Sequence, residues 1–106
     1  MSAYVIFVRK TTHDEQEMQT YAKLAGEARG NHPITPLAFY GDITTLEGDD
    51  AEGAVILSFP DMEAAKAWYY SDAYQKAKKH RNLGADYQVL LIQGFDQRGV
   101  LFAKLN

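Results

Sequence analysis

Three segments of this chain carry apolar residues on both faces of an extended pattern, yet only two helical units are present to cover them. Ala3 to Lys10 alternates with Tyr4, Ile6 and Val8 on one side and Val5 and Phe7 on the other. Ala54 to Phe59 and Tyr87 to Gln93 have the same two-sided character. A bare apolar sheet of that size is unstable in water. The pattern therefore predicts helices on one face and a second copy of the chain on the other. Two sheets then close into one barrel, and the expected homodimer buries about 2,000 Å² or more, the range of obligate interfaces.

The remaining elements follow from local signals. Thr11 to His13 reads as a turn, and Asp14 caps a helix with Glu17 completing a capping box. Met18, Tyr21, Ala22, Ala25 and Ala28 keep the 3.6-residue period of that helix, which stops near Gly30-Asn31. A second strand is expected within Thr35 to Glu47, interrupted at Gly41 by a bulge or close approach. The polar loop 48–53 leads into the third strand. Asp61 caps a helix from Met62 to about Tyr70, and Ser71 or Asp72 caps a further stretch from about Ala73 to Asn82. The fourth strand follows Gly84. Strand, helix, strand, strand, helix, strand with right-handed crossovers is an α+β, ferredoxin-like βαββαβ sandwich. Its sheet is antiparallel, with the first and third strands central. Residues 1–95 form this domain. The tail 96–106 holds Val100, Leu101, Phe102 and Leu105, too apolar to stay in water, and is expected to dock on the domain or the partner subunit.

Composition excludes several functions. A net charge of −3 offers no basic surface for nucleic acid or an anionic membrane. With no cysteine there is no disulfide, thiolate metal site or thiol nucleophile. The histidines His13, His32 and His80 lack metal-ligand spacing, so no metal is expected. No P-loop or dinucleotide glycine fingerprint appears, so no cofactor is expected either. The third strand has Glu52, Ala54 and Ile56 where an RNA-binding sheet needs a base and rings. Nothing resembles a signal peptide or a membrane helix, and a cytoplasmic location is expected.

The most specific stretch is Trp68-Tyr69-Tyr70-Ser71-Asp72-Ala73-Tyr74-Gln75, with four aromatics around a Ser-Asp pair. Together with Tyr4-Val5-Ile6, Asp14, Tyr21, Gly41, Glu47-Gly48, Leu57-Ser58-Phe59-Pro60, Ala64-Ala65 and Arg81, it resembles the family known as domain of unknown function 1330. That family belongs to the dimeric α/β-barrel superfamily, and the resemblance covers about residues 3 to 95. The family pattern often has an arginine before the glycine of strand two; here Tyr40 stands there, and Asp42 follows the glycine. The resemblance implies architecture without an established activity.

Candidate site residues sit around that aromatic stretch. Trp68 and Tyr74 are suited to gripping a flat ligand, although helix aromatics also serve as core. Ser71 is read as a helix cap rather than a nucleophile, and is counted among the expected ligand contacts. Tyr40, His32 and Arg81 are expected to supply polar contacts, and Arg81, retained in the resemblance, can orient a carboxylate or a tyrosine hydroxyl. The lysines at 76, 78 and 79 read as a soluble face that offsets the helix dipole. His32 with Asp42 is the expected pair if a proton is transferred. Two function classes result. One is a homodimeric binding or accessory protein with a small-molecule pocket between sheet and helices. The other, by analogy with its superfamily, is a cofactor-independent enzyme, a monooxygenase, isomerase or lyase, on a small organic substrate.

Overall fold

The structure is a computed structural model, and residues 1–95 are the ones described. The elements are β1 (Ala3–Thr12), α1 (Glu15–Ala28), β2 (Thr35–Phe39), β3 (Gly53–Phe59), α2 (Met62–Tyr69), α3 (Asp72–Gly84) and β4 (Ala85–Gln93). The sheet order is β2-β3-β1-β4, antiparallel throughout. This is the ferredoxin-like arrangement, with β1 and β3 central.

Capping sets each helix. Asp14 Oδ1 accepts the N–H groups of Gln16 and Glu17 at 3.0 and 3.2 Å. Asp61 does the same for Ala64 at 2.8 Å. The expected capping box at α1 is only half formed, because the Glu17 carboxylate lies 2.6 Å from His80 Nδ1 on α3. A carboxylate offered an imidazole on a packed neighbour joins two helices instead of closing its own turn. The break between α2 and α3 is fixed by Ser71. Its hydroxyl donates to Trp68 O at 2.7 Å and accepts from Tyr74 N at 3.2 Å. Gln75 Nε2 then donates to Tyr69 O at 2.7 Å, taking up another carbonyl at the end of α2.

Two expectations about strands are corrected. The first strand continues to Thr12, past the expected turn, with an irregularity between Arg9 and Thr11 in its pairing to β4. The second strand stops at Phe39 and has no bulge at Gly41. Its register slips between Pro36 and Ala38 instead, where Pro36 has no N–H for the ladder. Tyr40 then takes φ +50, a left-handed conformation that cannot continue a strand. The apolar tail at 96–106 lies outside the described residues.

The core lies between the sheet and the helices. Ala3, Val5 and Phe7 of β1, with Val55, Leu57 and Phe59 of β3, face α2 and α3 through Ala65, Trp68, Tyr74 and Ala77. The other sheet face carries the alternate residues. Ile6 lies directly between Ile56 and Leu90 across three strands, and Tyr4 pairs with Ile92. Leu90 is 46% exposed and Ile92 54% exposed on this face. The two-sided character read from the sequence is thus present, with one side covered and one open. No helix among the described residues is long and apolar enough to cross a membrane.

Candidate functional site

A cavity of about 290 Å³ lies between α1 and the strands β1, β3 and β2. Its roof is α1, which presents Ala22, Ala25 and Gly26 there, small residues that leave space between helix and sheet. Its floor is Phe7, Val55 and Leu57, and Trp68 closes one end. Ile34, Pro36 and Phe39 form the β2 side. Polar atoms come from Tyr21, Tyr40, Arg9 and Arg29. The wall contains no carboxylate and no histidine. Its lining is mostly apolar, with few polar groups.

Trp68 is 3% exposed and held by rings on several sides. Tyr74 lies 4.3 Å from it between ring centroids, Phe59 5.5 Å, and Phe7 6.3 Å edge-on. Its indole Nε1 is buried and has no hydrogen-bond partner among the described residues.

Tyr40 reaches the cavity through its left-handed backbone. Its N–H donates to Ala54 O at 2.9 Å, and its ring lies over Gly53, where a Cβ would come within 2.8 Å of Cδ1. Glycine at 53 is thus what leaves room for the phenol to lie on β3. The Arg9 guanidinium stands 5.0 Å from the centre of the Tyr40 ring. Arg9 Nε also lies 3.3 Å from Glu52 Oε1, close enough to pair in charge but at an angle that makes no hydrogen bond. The hydroxyl of Thr12 donates to that same carboxylate oxygen at 2.6 Å and holds the Glu52 carboxyl below its ordinary range.

Behind the cavity wall is a second polar layer. The hydroxyls of Tyr21 and Tyr74 meet at 2.8 Å, and those of Tyr40 and Tyr87 at 2.5 Å. Arg81, 4% exposed, stacks 5.7 Å from the Phe7 ring centre and 5.3 Å from that of Tyr87. Burial pushes the phenols of Tyr21 and Tyr40 well above the ordinary tyrosine range, and the hydrogen bonds to Tyr74 and Tyr87 add to this. Burial also raises Tyr74, to about 12, although Arg81 opposes the shift. At neutral pH these phenols are protonated donors and not bases.

A pH dependence follows. An unfolded tyrosine ionises near pH 10, whereas Tyr21, Tyr40 and Tyr74 hold their protons to higher pH in the fold. The stability they contribute is complete below pH 10 and is lost as pH rises beyond it, on the order of 1 kcal/mol per tyrosine per pH unit. Urea midpoints at pH 9 and pH 11 are expected to fall steeply. Phenolate absorbance at 295 nm is expected to appear in step with unfolding. A midpoint unchanged between the two pH values would show that these phenols are open to water.

A profile of the family described as "Domain of unknown function (DUF1330)" matches residues 2–95. The chain belongs to the DUF1330 family. No curated protein matches it in sequence. Solved structures resemble it in fold. RPA0582 of Rhodopseudomonas palustris, of unknown function, superposes with a TM-score of 0.68 at 14% identity, over 90% of this chain and 83% of that one. SnoaB, a cofactor-independent oxygenase from Streptomyces nogalater, gives 0.57 at 9% identity over 92% and 95%. A dimeric protein of unknown function with a ferredoxin-like fold, from Bacteroides fragilis, gives 0.55 at 12% identity over 88% and 96%.

In this DUF1330 domain the residues named from the sequence fall into separate groups. Tyr40 and Trp68 share the cavity wall. Tyr74 and Arg81 stand one layer behind it, and Ser71 is occupied as the cap of α3. His32 borders a different, more open concavity with Ser2, Ser58 and Pro60, reaching the first only through Arg29 and Ile34, which touch both. Asp42 is exposed, and among the described residues no hydrogen bond or ion pair links it to His32. Arg9 and Tyr21 of the cavity wall, and Tyr87 in the layer behind it, were not named as contacts from the sequence. Two signals were there to find some of them. Arg9 continues the helix-facing series Ala3, Val5, Phe7, and the small residues at 22, 25 and 26 lie on one side of α1 next to Tyr21. Among the described residues no group of three or more histidines, aspartates and glutamates can hold a metal ion.

Proposed function

We propose that this protein is a homodimeric small-molecule binding protein whose ligand occupies the cavity beneath α1, one site per subunit. One observation carries the reading: the wall is aromatic and aliphatic, and contains no group that exchanges a proton near neutral pH. Its phenols donate hydrogen bonds and its arginines stay charged. Such a wall suits recognition of a flat, mostly apolar molecule. The alternative is cofactor-independent oxygenation, suggested by fold likeness to SnoaB. That reading requires a substrate that gives up its own proton, since the wall supplies no base. The second copy is proposed on the open sheet face around Ile6, Ile56, Leu90 and Ile92.

The test uses the neutral dye N-phenyl-1-naphthylamine and a variant that fills the space. The dye is expected to brighten and to bind once per subunit. Ala25→Leu, placed on the roof of the cavity, is expected to reduce that binding at least tenfold while the fold is kept or stabilised by about 1 kcal/mol. Dye binding that is absent, or indifferent to Ala25→Leu, would end this reading.

A further inference from the structure

Arg81 is buried among rings and has no counter-ion among the described residues. Among the described residues no carboxylate lies within ion-pair distance of it, and its Nε has no hydrogen-bond partner. A buried guanidinium without an acceptor is an unusual arrangement, because a desolvated charge ordinarily carries a partner. The faces of Phe7 and Tyr87 satisfy it only in part.

The same shortage of acceptors runs through the neighbouring groups. Each tyrosine pair, Tyr21–Tyr74 and Tyr40–Tyr87, holds two hydroxyl hydrogens and makes one hydrogen bond between its members. One O–H hydrogen in each pair is therefore left to donate elsewhere. Trp68 Nε1 is a further buried donor without a partner. Tyr21, Tyr40 and Trp68 all line the cavity, whose wall has no acidic side chain. Of the nearby cations, Arg9 is offset by Glu52, while Arg29 and Arg81 face no carboxylate among the described residues. Phe7, one ring thick, is the layer between Arg81 and the cavity floor. Across a water-poor layer of that thickness a charge still acts on its neighbour.

We infer that the ligand of this cavity is a flat, ring-bearing organic anion. Its oxyanion, a carboxylate or an enolate, accepts the hydroxyl hydrogens of Tyr21 and Tyr40, whose oxygens in turn accept those of Tyr74 and Tyr87, in the field of Arg81. Its rings lie against Trp68 and Phe7. This rests on the binding reading above and adds the chemical class of ligand. Arg81 acts on the anion through the tyrosines and is a positioning residue.

The experiment compares naphthalene-2-carboxylate with its neutral, near-isosteric partner naphthalene-2-carboxamide, by calorimetry and by displacement of N-phenyl-1-naphthylamine. In the native protein the carboxylate is expected to bind at least tenfold more tightly than the amide. Arg81→Met is expected to bring that ratio close to one, with near-ultraviolet circular dichroism of the single tryptophan checking that the core is kept. Should Arg81→Met fail to fold, the double variant Tyr21→Phe with Tyr40→Phe decides, and is expected to lower the ratio several-fold. A native ratio near one, with the dye and the amide still bound, overturns the anion inference and leaves the binding reading standing. A ratio that survives in every folded variant overturns it too. If dye, carboxylate and amide all fail to bind, both readings fall.

Discussion

Ile6→Glu is expected to leave the protein monomeric at concentrations where the proposed native dimer forms. Ile6 sits on the central strand, directly between Ile56 and Leu90 on the face that no helix covers. In a single chain the new carboxylate stands at a partly exposed position and disturbs little of the core beneath it. Against a second sheet it is an unpaired buried charge. Such a group costs on the order of 4 kcal/mol, or about a thousandfold in dissociation constant. The two-fold repeat brings two such charges to one interface. Sedimentation equilibrium checks the outcome directly. A native chain that is monomeric at micromolar concentration, or a variant that stays dimeric, would remove the sheet face as the interface.

Trp68→Ala is expected to have the largest effect on stability of any single substitution in the described core. The indole is almost fully buried against Phe7, Phe59, Tyr69 and Tyr74. Removing a buried tryptophan costs about 3–5 kcal/mol, out of a total of about 5–15 kcal/mol for an ordinary domain. The melting temperature should drop by more than about 12 °C. Far-ultraviolet circular dichroism is the right readout, since the variant loses the single tryptophan. Trp68→Phe should lose distinctly less, because Nε1 has no hydrogen bond to forfeit. Equal losses in the two variants would mean that the indole nitrogen has a partner after all.

Much of the fold was legible in the chain because its signals are local. Asp14, Asp61 and Ser71 announce helix starts, and each caps the helix expected of it. The two-sided strands announced a sheet needing cover on both faces, and the helix-facing side is indeed core. What misled was punctuation of the second strand. A bulge or close approach was expected at Gly41, but the ladder slips beside Pro36 and the strand ends at a non-glycine residue, Tyr40, with positive φ. Tyrosine rarely adopts that conformation, so no sequence rule would place it there. The site was less legible for a different reason. Phe7, Tyr21, Trp68 and Tyr87 come from four elements and Tyr40 from the bend after β2, and only packing brings them together. The break at Ser71 drew attention to itself through its aromatics, although much of that cluster is core and the open space lies beneath α1.

The strand order has a consequence for how the chain is made. Of these elements β1 leaves the ribosome first, yet its two neighbours are β3 and β4. The start of α1 is likewise held by the end of α3, where the Gly84 carbonyl accepts the N–H groups of His13 and Asp14 at 2.7 and 3.1 Å. The first strand and helix thus spend most of translation without the surfaces they need, and their apolar residues stay unburied until β4 has been synthesised. Native structure should appear late and nearly at once, with slow closure typical of distant pairings. A nascent chain stalled before Gln93 has cleared the exit tunnel would lack the last edge that completes β1, and would be the species most in need of a chaperone.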